Sequence, residues 1–471
     1  ITPIGWDLTS ATCSDQSIPS SISLTAGETV TCTFTNQKDA GIVVIKQTIP
    51  DGSPENFEFD SSYHNDNFLL TDGFFDLSGD LVPGTYSVAE LPEAGWDLTS
   101  ATCDDGSDPL SIGLVAGETV TCTFTNTQRG HIVVDKVTDP TGSQQSFNFD
   151  AAGGAYTDFA LTDAAAPNDQ ELVPGTYSVT ETVPAGWDLT NTTCVSSLRD
   201  TETAGSLELD AGETITCTFT NTELGNVTVV KYNDHNGNGV KDDGEETLGD
   251  TGDDEDEAIA ATRLEIHLVG TGVNSYQWTG AQVQGQVTFS DLLPNSFTLS
   301  EQIKPNWVQT NIACGEEIGI DKDNSHPVEL AAGQDLTCYI GNQGQGTITL
   351  IKVVDGGTAV VEDFSLYLGG NSVTSGVATT VVANTPYSID EDGPSGYSFT
   401  SISGDPACPE VLQGDVQADV GEDITCMITN TRDTGTIIVH KIIDSDGDLG
   451  TSEDQFPGEN WEMDVDGDSE V

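Results

Sequence analysis

The chain has 471 residues, and its 13 Lys and Arg against 78 Asp and Glu give a formal net charge of −65. So acidic a surface repels phosphate backbones and anionic headgroups, which excludes nucleic-acid binding, and no stretch approaches the roughly 18 consecutive apolar residues of a membrane span. Hydrophobic residues at 36% and charged residues at 19% suit folded domains, about three to five at this length.

The opening residues, ITPIGWDLTS, lack the basic start and apolar core of a secretion signal. From there the chain repeats itself. GWDLTSATC begins at Gly5 and again at Gly95, and GWDLTNTTC follows at Gly186. AGETVTCTFTN begins at Ala26 and Ala116, and AGETITCTFTN at Ala211. Weaker copies are PNWVQTNIAC with AGQDLTCYIGN, then SGYSFTSISGDPAC with VGEDITCMITN. After each tail comes a strand-like run ending in lysine: GIVVIK, GHIVVDK, GNVTVVK, GTITLIK and GTIIVHK. In chain order the array reads as a closing part (1–39), four full units (40–128, 129–224, 225–345, 346–434) and an opening part (435–471).

Within a unit, short alternating runs rich in Val, Thr, Ile and aromatics are separated by Gly, Pro, Asn and Asp. That pattern predicts an all-β fold, a tandem array of Ig-like antiparallel β-sandwiches, without helices. A core of about 90 residues is marginal and calls for staples. The ten cysteines fall two per unit: Cys13 with Cys32, Cys103 with Cys122, Cys194 with Cys217, Cys314 with Cys338, and Cys408 with Cys426. Regular pairs with no CxxC or paired-His spacing predict one disulfide per unit and an oxidising, extracytoplasmic location.

Three further residue types hold register. Five of the lysines close an opening strand: Lys46, Lys136, Lys231, Lys352 and Lys441. Asparagines Asn36, Asn126, Asn221, Asn342 and Asn430 each stand four residues past the second cysteine. Glutamates Glu90, Glu181, Glu301 and Glu391 end the strands GTYSVAE, GTYSVTE, NSFTLSE and TPYSIDE. In GIVVIK, alternation sets Val44 and Lys46 on the face of Ile42, which is apolar and inward.

A first-strand lysine, a Y-x-V-x-E strand followed by Pro-x-Gly-aromatic, and a last-strand Thr-Asn together resemble the Cna B-type, or SpaA-type, domains of bacterial surface adhesins and pilins. The resemblance covers nearly the whole chain. It implies that the lysine amine attacks the asparagine amide with the glutamate assisting, giving an intramolecular isopeptide bond. The implied triads are Lys46 with Glu90 and Asn126, Lys136 with Glu181 and Asn221, Lys231 with Glu301 and Asn342, and Lys352 with Glu391 and Asn430. Such chemistry needs a buried, neutral amine and a carboxyl raised by the same burial, so that a protonated acid polarises the amide.

Two acidic loops predict calcium. DHNGNGVKDDGE fits the twelve-residue EF-hand loop. Asp234, Asn236 and Asn238 take positions 1, 3 and 5, Gly239 allows the turn, Val240 offers its carbonyl, Asp242 takes position 9 and Glu245 is the bidentate twelfth ligand. Without flanking helices, it resembles the calcium-binding B repeats of serine-aspartate repeat adhesins. DSDGDLGTSEDQ repeats the spacing with Asp444, Asp446 and Asp448 but departs from it with Leu449 and Gln455. The run Asp250–Glu257 reads as a solvated charged loop, and DVDGDSE from Asp464 is a third acidic cluster.

Trp6, Trp96, Trp187 and Trp307 share one register position and read as packing residues. Asn191-Thr-Thr and Asn226-Val-Thr are sequons. The six histidines form no cluster, and no serine nucleophile motif or phosphate loop appears, so no enzyme acting on an external substrate is expected. The expectation is an extracellular, cell-surface structural protein: a stiff stalk or fibre that self-assembles or packs against neighbouring repeats of its own kind, with calcium bound. A ligand-binding adhesin and a surface-layer protein of a halophile are the alternatives. The partial units carrying Asn36 and Lys441 read either as a cut from a longer array or as halves completed by a neighbouring copy.

Overall fold

A computed structural model of the chain describes residues 1–248, 265–278, 285–315, 321–436 and 438. Sequence alternation becomes alternation in burial. Along Gly41–Ile49, residues Ile42, Val44, Lys46 and Thr48 are buried while their neighbours are at least partly exposed, the period-two signature of a strand with one face inward. The only helix among the described residues is a single 3₁₀ turn at Val361–Asp363. No helix among them is long and apolar enough to cross a membrane. The fold is all-β.

Each full unit has its own core. Phe57, Phe59, Val88, Ile112 and Phe124 centre the first, and Phe147, Phe149, Tyr177, Leu207 and Phe219 the second. Val227, Ile266, Leu299 and Ile340 centre the third, and Ile348, Leu366, Ile389 and Ile428 the fourth. The second unit shows the two layers most completely. One sheet runs Asn168–Leu172, Gly130–Asp139, Thr214–Glu223, Trp187–Ser196. The other runs Phe159–Leu161, Phe147–Ala152, Gly175–Thr182, Leu207–Leu209. Aromatic rings join the layers: Phe149 stacks on Phe159 at 5.0 Å and meets Phe219 edge-on at 5.1 Å, and Phe59 repeats this with Phe68 and Phe124. Each such pair contributes about 0.5–1.5 kcal/mol beyond the area it buries.

One pairing departs from the expected antiparallel texture. In every full unit the opening strand lies parallel to the closing one, Gly41–Ile49 beside Thr119–Gln128 in the first and Gly130–Asp139 beside Thr214–Glu223 in the second. The third and fourth units repeat it. The cause is how units are joined. Arg129 alone separates one closing strand from the next opening strand, as Leu224 does one unit later. Between the third and fourth units nothing does, and Asp335–Asp355 is one continuous strand of 21 residues. A closing strand that runs straight on into the next opening strand shares its direction. In a repeating array, the opening and closing strands of one unit are then parallel as well.

All five disulfides form as paired in the sequence: Cys13 to Cys32, Cys103 to Cys122, Cys194 to Cys217, Cys314 to Cys338, and Cys408 to Cys426. In the first four, the two cysteines stand directly opposite each other on an antiparallel strand pair. The fifth departs from that pattern. Cys426 faces Gly404, the last residue of its partner strand, and Cys408 reaches it from the turn that follows. The bonds close separations of 18 to 24 residues, and loops of that size contribute on the order of 3 kcal/mol each. At the first joint, Arg129 forks to Asp97 at 2.7 and 2.9 Å and reaches Glu171 of the next unit at 3.6 Å. These groups are a third or more exposed, so the bridge orients the joint more than it stabilises it. Lys441, Asp444, Asp446, Asp448, the Asp464 cluster and the run Asp250–Glu257 lie outside the described residues.

Candidate crosslinking triads and cation loop

The triads assemble from both sheets. Lysine and asparagine stand on the parallel pair, with Lys46 opposite Phe124 and Thr48 opposite Asn126. The glutamate comes from the facing sheet, where Glu90 pairs with Phe59 and Glu181 with Phe149. Inward-pointing side chains from the two layers therefore meet inside the core.

In the first unit Lys46 Nζ donates to Asn126 Oδ1 at 2.8 Å, Glu90 lies 3.7 Å from Nζ, and Asn126 Nδ2 donates to Glu90 Oε1. In the second, Lys136 Nζ donates to Asn221 Oδ1 at 2.8 Å with Glu181 at 3.7 Å. In the fourth, Lys352 Nζ donates to Asn430 Oδ1 at 2.5 Å with Glu391 at 2.8 Å. In the third, Lys231 Nζ reaches Glu301 at 3.1 Å and, as in the other units, a closing-strand carbonyl, that of Ile340 at 3.3 Å; it differs in Asn342, which has no hydrogen bond on either side-chain atom. Asn36 stands opposite Leu8 in the partial unit, its candidate partner Lys441 being outside the described residues.

Burial sets the electrostatics. It pushes Lys46, Lys136 and Lys352 below the ordinary lysine value, against the pull of the facing glutamates, and brings Lys231 down to about 8. The same burial raises Glu90 and Glu181, with the lysines opposing it. Both shifts favour a neutral amine beside a protonated acid. In any uncrosslinked form of the third unit, stability should therefore rise between about pH 8 and the ordinary lysine value of 10.5. Over that window the unfolded chain still holds a proton that the folded lysine has released. Urea unfolding of Asn342→Ala across that range checks the sign.

Residues beyond the sequence-derived triads also line these sites. The rings of Phe57, Phe147 and Phe364 lie 4.1, 4.2 and 4.3 Å from the lysine nitrogens. Each stands two residues before the cross-strand partner of its unit's glutamate, a register visible in the aligned repeats. In the third unit that register falls on Leu264, outside the described residues.

The loop 234–245 is built as follows. Asp234 is fully buried and its carboxylate accepts the N–H groups of Asn238 and Gly239 at 3.1 and 2.7 Å. The amides of Asn236 and Asn238 both meet Asp242 Oδ2 at 2.7 Å, which brings positions 3, 5 and 9 to one point. Glu245 folds back on the N–H groups of His235 and Asp242. Val240 and His235 are exposed. Oxygen-rich, carboxylate-bearing and closed by a glutamate, this donor set fits a hard divalent cation such as calcium. Elsewhere Asp200, Asp210 and Glu213 approach one another, but Glu213 is engaged by Ser196 and by the Asp210 N–H, so it closes a turn.

Residues 132–223 and 344–428 match two SpaA-type family models, each described as a prealbumin-like fold domain. They correspond to the second and fourth full units. No curated protein sequence matches the chain. Among solved structures, the Bacillus anthracis TIE protein is 16% identical, the match covering 84% of this chain and 70% of that one, with a TM-score of 0.28. The pilus adhesin SpaC from Lactobacillus rhamnosus GG is 14% identical over 87% of this chain and 46% of its own, with a TM-score of 0.23. BcpA, the major pilin subunit of Bacillus cereus, is 10% identical over 65% of this chain and 99% of its own, with a TM-score of 0.28.

Proposed function

We propose that this chain, which carries tandem SpaA-type prealbumin-like domains, is a structural subunit of a cell-surface fibre or stalk that assembles with copies of its own kind outside the cell. The observation that carries this reading is the threefold recurrence of a buried lysine amine within 2.5–2.8 Å of an asparagine carbonyl oxygen, beside a glutamate whose side chain is buried. An enzyme needs access for a substrate. The reacting side chains are buried in cores beside one another, which suits a single internal reaction. Five disulfides suit an oxidising location.

In that reaction the lysine Nζ bonds to the asparagine Cγ, the Cγ–Nδ2 bond breaks, and ammonia leaves. The glutamate passes a proton to the departing nitrogen and recovers one from the amine. The loop 234–245 takes calcium and stiffens the third unit. Intact mass of the reduced, chelated chain tests the first claim. Each bond lowers the mass by about 17 Da, one ammonia. A mass equal to that of the plain sequence would falsify internal crosslinking.

A further inference from the structure

The third unit departs from its siblings at two places, and the two places touch. The first is the triad. Asn342 is fully buried, yet neither Nδ2 nor Oδ1 has a hydrogen bond, and Lys231 Nζ keeps the glutamate and backbone-carbonyl contacts of its siblings without the bond to asparagine that they also make. A buried amide left open at both ends is rare, because each unmade bond costs desolvation that nothing returns. The second is the loop. Its first ligand residue, Asp234, donates its N–H to the Asn342 carbonyl at 2.9 Å, and the Gln343 side chain donates to the His235 carbonyl at 3.1 Å. The loop is thus anchored on the residue whose side chain is out of place.

Its other anchor strengthens the connection. Asn311, on the strand beside 341–343, donates to the Gly239 carbonyl at 2.7 Å. Beneath the loop Tyr232 is wholly buried, and its hydroxyl and that of Thr310 crowd the space a Gly341 Cβ would need. Both hydroxyls lack partners. The other full units carry Thr125, Thr220 and Thr429 where this one has Gly341. That exchange opens room for the tyrosine directly before Asn342.

We infer that the loop 234–245 governs the crosslink of its own unit. A divalent cation drawn to Asp234 shifts the backbone bonded to Asn342, seats the Asn342 amide on Lys231 and so permits bond formation. This unit alone then needs calcium to crosslink. The inference rests on the crosslinking and calcium readings above. The reaction is the same ammonia-releasing exchange: Lys231 Nζ bonds to Asn342 Cγ, Nδ2 leaves as ammonia, and Glu301 relays the proton. Asp234 acts through Asn342 and is a positioning residue.

The test uses the full chain, expressed and purified with chelator, then digested so that each linked peptide is quantified by mass. The links Lys46–Asn126, Lys136–Asn221 and Lys352–Asn430 are expected in full. The Lys231–Asn342 link is expected at less than a tenth of their level, rising to match them once calcium chloride is added. Asp242→Asn should raise the calcium concentration needed for half-completion at least tenfold while leaving the other three links unchanged. A Lys231–Asn342 link that is complete in chelator, or never forms in saturating calcium, overturns the inference. Loss of hydrogen-exchange protection in Glu265–Gly270 on chelation also overturns it, since calcium would then only be folding the unit. Two other failures undo the premises and are told apart. Absence of all four links removes the crosslinking reading, and no calcium uptake in equilibrium dialysis removes the calcium reading.

Discussion

Replacing Glu181 by glutamine should leave the second unit folded but uncrosslinked, about 16 Da heavier, since the retained ammonia adds about 17 Da and the exchange itself removes about 1 Da. Glutamine keeps the size of the side chain but cannot relay a proton to the leaving nitrogen, so the amine and amide stay in contact without reacting. Lys136 and Asn221 are 85 residues apart in sequence. Closing a loop of that length restricts the unfolded chain by on the order of 4 kcal/mol. For a domain of this size the variant should therefore melt on the order of 20 °C lower. Calorimetry and intact mass on one sample check both effects. A mass only about 1 Da below the parent's, the change from the exchange alone, would show that Glu181 is not the relay.

Removing calcium should act next most strongly, and locally. At a free concentration a hundred times its dissociation constant, a ligand bound only to the closed loop stabilises that state by about 2.7 kcal/mol. When opening is fast relative to cleavage, the same factor appears as roughly a hundredfold faster proteolysis. Cuts should begin between Asp234 and Glu246 and leave the second unit intact. Glu245→Gln should show the faster digestion even with calcium present. Ionic strength has to be held fixed, because a net charge of −65 responds to any salt. An unchanged digestion pattern would remove calcium from the account of this loop.

Much of the fold was legible because repetition supplies its own alignment. Alternation in GIVVIK was enough to turn Lys46 inward, and Lys46 is buried. The cysteine pairs needed only counting, although the off-strand position of Cys408 was not marked by its spacing from Cys426. The direction of the closing strands was not legible, because a period of two is identical in parallel and antiparallel strands. Only the joining of units fixes it. The continuous strand Asp335–Asp355 was hidden for a similar reason: Gly344 and Gly346 read as punctuation, yet both lie within the ladder. In the triads, residue types in register named the groups that the structure brings together, but the longer Lys231-to-Asn342 span of the third unit, 111 residues against 80, 85 and 78, did not reveal that its asparagine stands without a hydrogen bond. That unit also carries Gly341 where its siblings have Thr125, Thr220 and Thr429, with Tyr232 opposite it, and the loop that follows Tyr232 lies far from Gly341 in sequence.

The parallel pair has a mechanical consequence. A pull on the two ends of the array enters each unit along its opening strand and leaves along the closing strand beside it. Parallel neighbours loaded in this way are sheared, so the ladder between Gly41–Ile49 and Thr119–Gln128 resists as one body instead of parting bond by bond. Once Lys46 is joined to Asn126, the load passes from Gly41 to Lys46 and directly on to Asn126. The residues from 47 to 125, with nearly all of the unit's core, are then outside the load path. Such a fibre would be close to inextensible, with its compliance confined to the few residues between one crosslink and the next.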